Sequence, residues 1–189
     1  MNDFKTSPAI NAATLPGDYK PVRRLVTGED AEGRSYFVFD GPAPNCVVDP
    51  GVPKAQVIWA TGEAAAKGDD PAPAGQRFGF HSPGGSVFRI AEFPPDAQAD
   101  REGLARFLDQ EGVGDNNQPR HFWFHKTRTL DYAMCLEGEI VALLDKEERV
   151  MRPGDVLVQR ATNHSWSNRS DKPCRMAFIL IGLADGENP

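Results

Sequence analysis

Between Val22 and Ala60, apolar and polar positions alternate in short runs, RRLVTG, SYFVFDG, NCVVDPG and AQVIWATG, each closed by Gly, Pro, Asp or Asn. Runs of β-branched and aromatic residues punctuated by turn formers predict a meander of short strands. Gly62 to Gly85 breaks the pattern. Its EAAAKGDDPAPAG stretch has an Ala run that suits one helical turn, but its Pro and Gly residues prevent a longer helix, so the segment reads as a long loop. SVFRIAEF (86–93) returns to strand character. Only DREGLARFLDQEG carries a helical period: Leu104, Phe107 and Leu108 fall at i, i+3 and i+4, Asp100 can cap the start and Gly112 can take the left-handed stop. This helix is expected to pack on the outside of a sheet. After the loop VGDNNQP the pattern is strand-like to the end: HFWFHKT, TLDYAMCLE, EIVALLD, EERVM, DVLVQRA, HSWSNRS and CRMAFILIGL. Turns are expected at Glu137-Gly138, Asp145-Lys146, Arg152 to Asp155 and Ser170 to Pro173. So many short antiparallel strands imply an all-β domain, a barrel or a double-sheet jelly roll, over residues 21–189, with one or two short helices. Residues 1–20, rich in small, polar and Pro residues, read as an arm that orders only on docking.

A length of 189 residues suits one domain with a substantial core. Cys46, Cys135 and Cys174 are odd in number, widely spaced and without a CxxC, so free thiols in a reducing compartment, the cytoplasm, are expected. The amino terminus lacks a basic region followed by an apolar run, and no apolar stretch approaches the ~20 residues of a membrane span, so neither secretion nor membrane insertion is expected. The formal charge of −6, with no dense basic stripe, lacks the footprint of a nucleic-acid binder. Small molecules or protein partners fit better.

Candidate chemistry concentrates between His121 and Asn168. On a strand, His121, Trp123, His125 and Thr127 would share one face, and His164, Trp166 and Asn168 another. If both faces point inward, His125 and His164 meet across the interior and Asp131 enters from the next strand. Two imidazoles and a carboxylate are a set able to hold Fe(II), Mn(II), Zn(II) or Ni(II) with positions open for water or substrate. Each also has a plain reading. The histidines suit hydrogen-bonded core positions, Asp131 suits bonds to Thr127, Thr129 or Arg128, and the tryptophans suit core filling. Lys126, Arg128 and Arg160 read as surface charges, although one turned inward would select an anionic substrate.

These positions resemble the cupin superfamily, whose motifs have the forms G-x5-H-x-H-x3,4-E-x6-G and G-x5-P-x-G-x2-H-x3-N. Asp131 lies seven residues before Gly138, where the family places a glutamate, and His125 lies six before Asp131, matching the first histidine. Pro153-Gly154-Asp155 followed by His164-Ser-Trp-Ser-Asn168 resembles the second motif. The resemblance covers residues 118–183 and implies a cupin-type jelly-roll β-barrel extended by the strands of residues 21–95. It further implies a site built on His125, Asp131 and His164, catalytic or metal-holding. Trp123, Thr127, Trp166, Asn168, His81 and His121 are expected around the substrate. Two departures stand out. Thr127 occupies the place of the second histidine, which weakens a metal site unless His121 or His81 substitutes, and Asp131 has a shorter arm than glutamate. The expected function is a small-molecule enzyme using metal-assisted or acid/base chemistry: an isomerase, lyase or dehydratase, decarboxylase or dioxygenase. The alternatives are a ligand-binding module without turnover and a filled structural barrel. Cupins of this kind are often dimers, so a homodimer is expected.

Overall fold

A computed structural model describes residues 20–47, 53–62, 79–80, 84–114 and 120–183. Nearly all of the arm, most of the Gly62 to Gly85 loop with His81, and most of VGDNNQP lie outside them. The strands run β1 (Arg23–Glu29), β2 (Ser35–Pro42), β3 (Asn45–Val47), β4 (Lys54–Thr61) and β5 (Ser86–Phe93), as the alternating runs predict. A 3-10 turn (Asp96–Gln98) and helix α1 (Arg101–Gln110) follow, then β6 (Thr129–Glu137), β7 (Ile140–Leu144), β8 (Glu148–Met151), β9 (Val156–Arg160), β10 (His164–Ser167) and β11 (Cys174–Gly182). All described pairings are antiparallel. Six strands form one sheet in the order β3-β4-β5-β11-β6-β9, three form a second in the order β10-β7-β8, and β1-β2 is a separate hairpin. The fold is all-β, a cupin-type jelly roll. Its amino-terminal strands extend the large sheet through β3 and β4.

The core lies between the two sheets. Val57, Ala91, Ala133, Met176 and Leu180 of the large sheet bury against Ile140, Ala142, Met151 and Trp166 of the small one. The small sheet is covered on its other face too, where Phe124 packs with Val141 and Leu143. That explains why β7 reads as a continuous apolar run rather than an alternating one.

Helix α1 begins where the sequence places it, with the Asp100 carboxylate accepting from Gly103 N at 3.0 Å. Gly112 takes a φ of +68° just past its end. Leu104 and Leu108 are buried, but the helix does more than coat a sheet. Phe107 stacks on Trp123 with ring centroids 6.0 Å apart and planes 9° from parallel, which brings α1 to the edge of the central cavity.

Gly138 closes the β6-β7 hairpin at φ +79°, and a Cβ there would stand 2.8 Å from Pro173 O. Gly138→Ala adds a steric clash to an unfavourable backbone conformation and is expected to cost roughly 3 kcal/mol. A lowered urea midpoint with unchanged slope checks this.

One expected strand is absent. HFWFHKT makes a turn at its start and contributes only two isolated bridges at His125, one to Gly114 and one to His164, where His125 N donates to His164 O at 2.9 Å and His164 N to His125 O at 3.0 Å. Lys126 N then bonds Val113 O at 3.0 Å. With those donors spent on two different segments, no ladder propagates.

Candidate active site in the cavity between the sheets

The carboxylate arrives on β6. Thr129, Asp131, Ala133 and Cys135 alternate inward and are buried, while Tyr132 and Leu136 face out. Asp131 lies between Leu180 of β11 and Gln159 of β9 in register. Thr129 donates a side-chain hydrogen bond to it, and the Thr127 and Thr129 hydroxyls are 2.7 Å apart. Because the Thr129 proton goes to the carboxylate, Thr127 must donate to Thr129. The residue standing in the place of a histidine is therefore the start of a hydroxyl relay that ends on Asp131. Asp131 Oδ1 is buried and has no hydrogen-bond partner. Burial raises its pKa to about 6, against the bond from Thr129 and the charge of Arg89.

The imidazoles meet through the bridge between them. His125 and His164 have ring centroids 4.3 Å apart, and both are buried. His125 Nδ1 lies 2.7 Å from Trp123 O and His164 Nδ1 2.9 Å from Thr162 O. A carbonyl only accepts, so each Nδ1 carries the proton and each Nε2 keeps a lone pair. Burial lowers both pKa values, to about 4 for His164 and well below the ordinary value for His125, which also feels His164.

Arg89, on β5, is the cation of the cavity. Protein surrounds its guanidinium while the side chain keeps partial contact with solvent through the opening. Nη2 donates to Gly79 O at 2.7 Å, the guanidinium carbon sits 5.1 Å from the centre of the Phe80 ring, and Nε is buried without a partner. Burial lowers its pKa to about 10, so it remains charged at neutral pH. Lys126, Arg128 and Arg160, read from the sequence as surface charges, are exposed, so none of them is the inward charge that would select an anion. The missed signal was an arginine on the face of β5 that also carries Val87, Ala91 and Phe93.

Trp123, His125, Thr127, Asp131, His164 and Trp166 line one cavity together with Arg89. The cavity is partly open to solvent. Two expected members lie elsewhere. His121, released from any strand by the turn, places Nδ1 2.6 Å from Ser165 Oγ and Nε2 3.2 Å from Asp96 Oδ2. Asn168 is buried with its amide donating to Phe93 O at 3.0 Å and Lys172 O at 2.8 Å, so it ties loops together outside the cavity. His81 is outside the described residues.

Among the described residues, no three His, Cys, Asp or Glu side chains gather closely enough to hold an ion. The pair of Nε2 lone pairs fits two ligand positions of a metal, with each ring oriented by a backbone carbonyl as ligating imidazoles are. Asp131 does not join that pair.

The titrations oppose each other. In the unfolded chain an imidazole takes up its proton near 6.5, whereas folded His164 does so near 4 and folded His125 well below its ordinary value. Over that interval the unfolded chain binds more protons, so acid favours unfolding, by on the order of 3 kcal/mol for His164. The Asp131 carboxyl titrates near 3.8 unfolded and about 6 folded, which lowers stability as pH rises across that range. Two imidazoles outweigh one carboxyl. Stability is therefore expected to fall as pH drops from about 6.5 to 4 and to change little just above 6.5. Urea unfolding at fixed pH steps checks this.

The Cupin domain family model matches residues 113–181, which hold these side chains except Arg89. The cupin-domain-containing oxidoreductase fogC of Aspergillus ruber is 30% identical over 173 residues, covering 87% of this chain and 74% of the relative. The chain belongs to the cupin superfamily. A second cupin-domain-containing oxidoreductase, srdB of Neurospora crassa, is 28% identical over 186 residues, covering 95% of this cupin and 83% of the relative. Among solved structures, a cupin 2 conserved barrel domain protein from Salinispora arenicola is similar at 13% identity and a TM-score of 0.40, covering 72% of this cupin and 81% of that chain.

Proposed function

We propose that this cupin is a small-molecule enzyme that moves a proton at a carbon beside a carbonyl, in an isomerisation or dehydration. The carrying observation is a buried carboxylate oxygen without a partner, on Asp131, in the same cavity as the Arg89 cation. At neutral pH Asp131 is mostly ionised and able to accept the proton, with Thr129 steadying its other oxygen. Arg89 faces the negative charge that develops on the carbonyl oxygen. His125 and His164, neutral with Nε2 free, can take the proton onward or return it to a leaving hydroxyl. The names of the relatives support an enzyme.

The test is hydrogen exchange of phenylacetone in D2O, followed by proton NMR. Exchange faster than in buffer, and lost with Asp131→Asn, supports the reading. Binding without exchange would favour a ligand-binding module.

A metal-assisted form is the second reading, favoured by the two oriented Nε2 lone pairs. His125 and His164 would hold a divalent ion, which supplies a Lewis acid for the substrate oxygen. A stoichiometric ion in protein purified without chelator, lost with His164→Ala, supports it; exchange unaffected by chelator contradicts it.

The homodimer also remains our proposal. Val156 and Val158 on edge strand β9, with Tyr132 beside them on β6, form an exposed apolar strip that a second copy could cover. Light scattering at micromolar concentration is expected to give twice the chain mass of 20.7 kDa; a monomer mass overturns it. Cys135 and Cys174 are free thiols, which suits a reducing compartment such as the cytoplasm. No described helix is long and apolar enough to cross a membrane.

A further inference from the structure

Arg89 and Asp131 both line the cavity, and each holds a buried polar atom without a partner: Arg89 Nε, a donor, and Asp131 Oδ1, an acceptor. Orphans of this kind cost stability, and a fold retains them most readily where a ligand satisfies both. Arg89 and Asp131 attract each other, yet no direct ion pair closes between them among the described residues. Each is therefore available to a third party. The remaining walls are largely aromatic. Phe107 and Trp123 stack nearly parallel, Trp166 and Phe178 meet edge to face at 5.3 Å, and Phe80 lies 5.4 Å from the His125 ring. Such walls suit a flat, conjugated body more than a polyhydroxylated one, whose hydroxyls would outnumber the polar groups offered.

We infer that the substrate is a planar, aryl-conjugated compound carrying an O=C–C=C–OH unit, as in an enolised 1,3-dicarbonyl, with the carbonyl oxygen accepting from Arg89 and the hydroxyl donating to Asp131. This rests on the proposed function for the cavity but not on turnover. It makes Arg89 and Asp131 a specificity-determining pair: only a ligand with both oxygens satisfies both orphans, and one lacking the hydroxyl leaves Asp131 desolvated and unpaired.

Binding is read by quenching of the fluorescence of Trp123 and Trp166, which line the cavity, with Trp59 of β4 as a constant background. The probes are benzoylacetone, which carries the unit, and butyrophenone, the same carbon skeleton with one oxygen. Benzoylacetone is expected to bind the wild-type protein at least about tenfold more tightly, the difference one buried polar group makes. Asp131→Leu is expected to shrink that gap to under about threefold, because the hydroxyl loses its acceptor, whereas Arg89→Met, which removes the donor to the carbonyl that both probes carry, is expected to weaken both. If Asp131→Leu does not fold, Asp131→Asn carries the test. A neutral amide oxygen accepts more weakly than a carboxylate, so the gap should narrow at least about threefold. Equal affinities in the wild-type protein, or an unchanged gap in the variant that folds, overturn the inference. Discrimination without phenylacetone exchange would remove the catalytic reading and leave this one standing. Exchange without discrimination would do the reverse.

Discussion

Asp131→Asn is expected to slow exchange of phenylacetone by about 10²–10⁴-fold, the range a positioned general base supplies, and to make the protein more stable at pH 7.5. Both effects come from the same placement. The carboxylate is 4% exposed, has one oxygen without a partner, and titrates near 6 instead of near 3.8. A folded-state pKa raised in this way means the fold favours the protonated acid, so ionisation above about pH 6 costs the native state. The shift of about 2 units corresponds to roughly 3 kcal/mol. Asparagine removes that cost, less whatever its amide leaves unpaired. The gain should vanish below pH 4, where both states are protonated. Urea unfolding at the two pH values, together with the NMR exchange rate, reads both halves. A variant slower and also less stable at pH 7.5 would show that Asp131 is a structural acceptor rather than a poised base. Stability gained with activity lost is the usual signature of a site held in a costly state.

The second large effect belongs outside the cavity. Asp96→Ala is expected to cost about 3–4 kcal/mol, because three partners lose their acceptor at once. Asp96 Oδ2 takes Ser167 Oγ at 2.5 Å and faces His121 Nε2 at 3.2 Å, while Oδ1 takes Asn168 N at 2.9 Å. Burial pushes the Asp96 carboxyl up, but the bonds from His121, Ser167 and Asn168 outweigh it and leave the pKa below the ordinary value. A depressed pKa means the clamp stabilises the fold above the unfolded value and is lost on acidification through the folded one. The clamp fixes the end of β10, and thereby the strand that carries His164 and Trp166. At a temperature where the variant stays folded, the exchange rate should remain within about threefold of wild type, since none of these groups lines the cavity. Asp96→Asn, which keeps an acceptor, should lose less stability than alanine. Equal losses would mean the carboxylate's bonds do not hold the turn.

Much of the fold was legible because its signals are local. The alternation in β1 to β6, the Asp100 cap, the Gly112 stop and the Gly138 turn each follow from a few neighbouring residues. HFWFHKT misled for the opposite reason: its alternation is genuine, but the backbone donors of His125 and Lys126 are claimed by β10 and by Val113, partners remote in sequence. Trp123, His125 and Thr127 still reach the cavity. His121, four residues from His125, follows the turn away to Asp96. Asn168 had a motif position to recommend it, yet a side-chain amide beside a loop finds carbonyls to bind more readily than a cavity. Arg89 was visible as a charge in an apolar alternation. Only the place of β5 beside β11, whose other neighbour β6 carries Asp131, shows that it faces Asp131's cavity rather than solvent.

The central claim is that this cavity holds one carboxyl poised near neutrality beside a permanent cation. Carbon-13 labelling of the aspartate carboxyls, followed by NMR from pH 3 to 9, tests it directly. One carboxyl is expected to titrate near 6, to be missing from Asp131→Asn, and to move higher in Arg89→Met, where the stabilising charge is gone. Every aspartate titrating below about pH 4.5, near or under the ordinary value, with the Asp131 signal among them, would contradict the account.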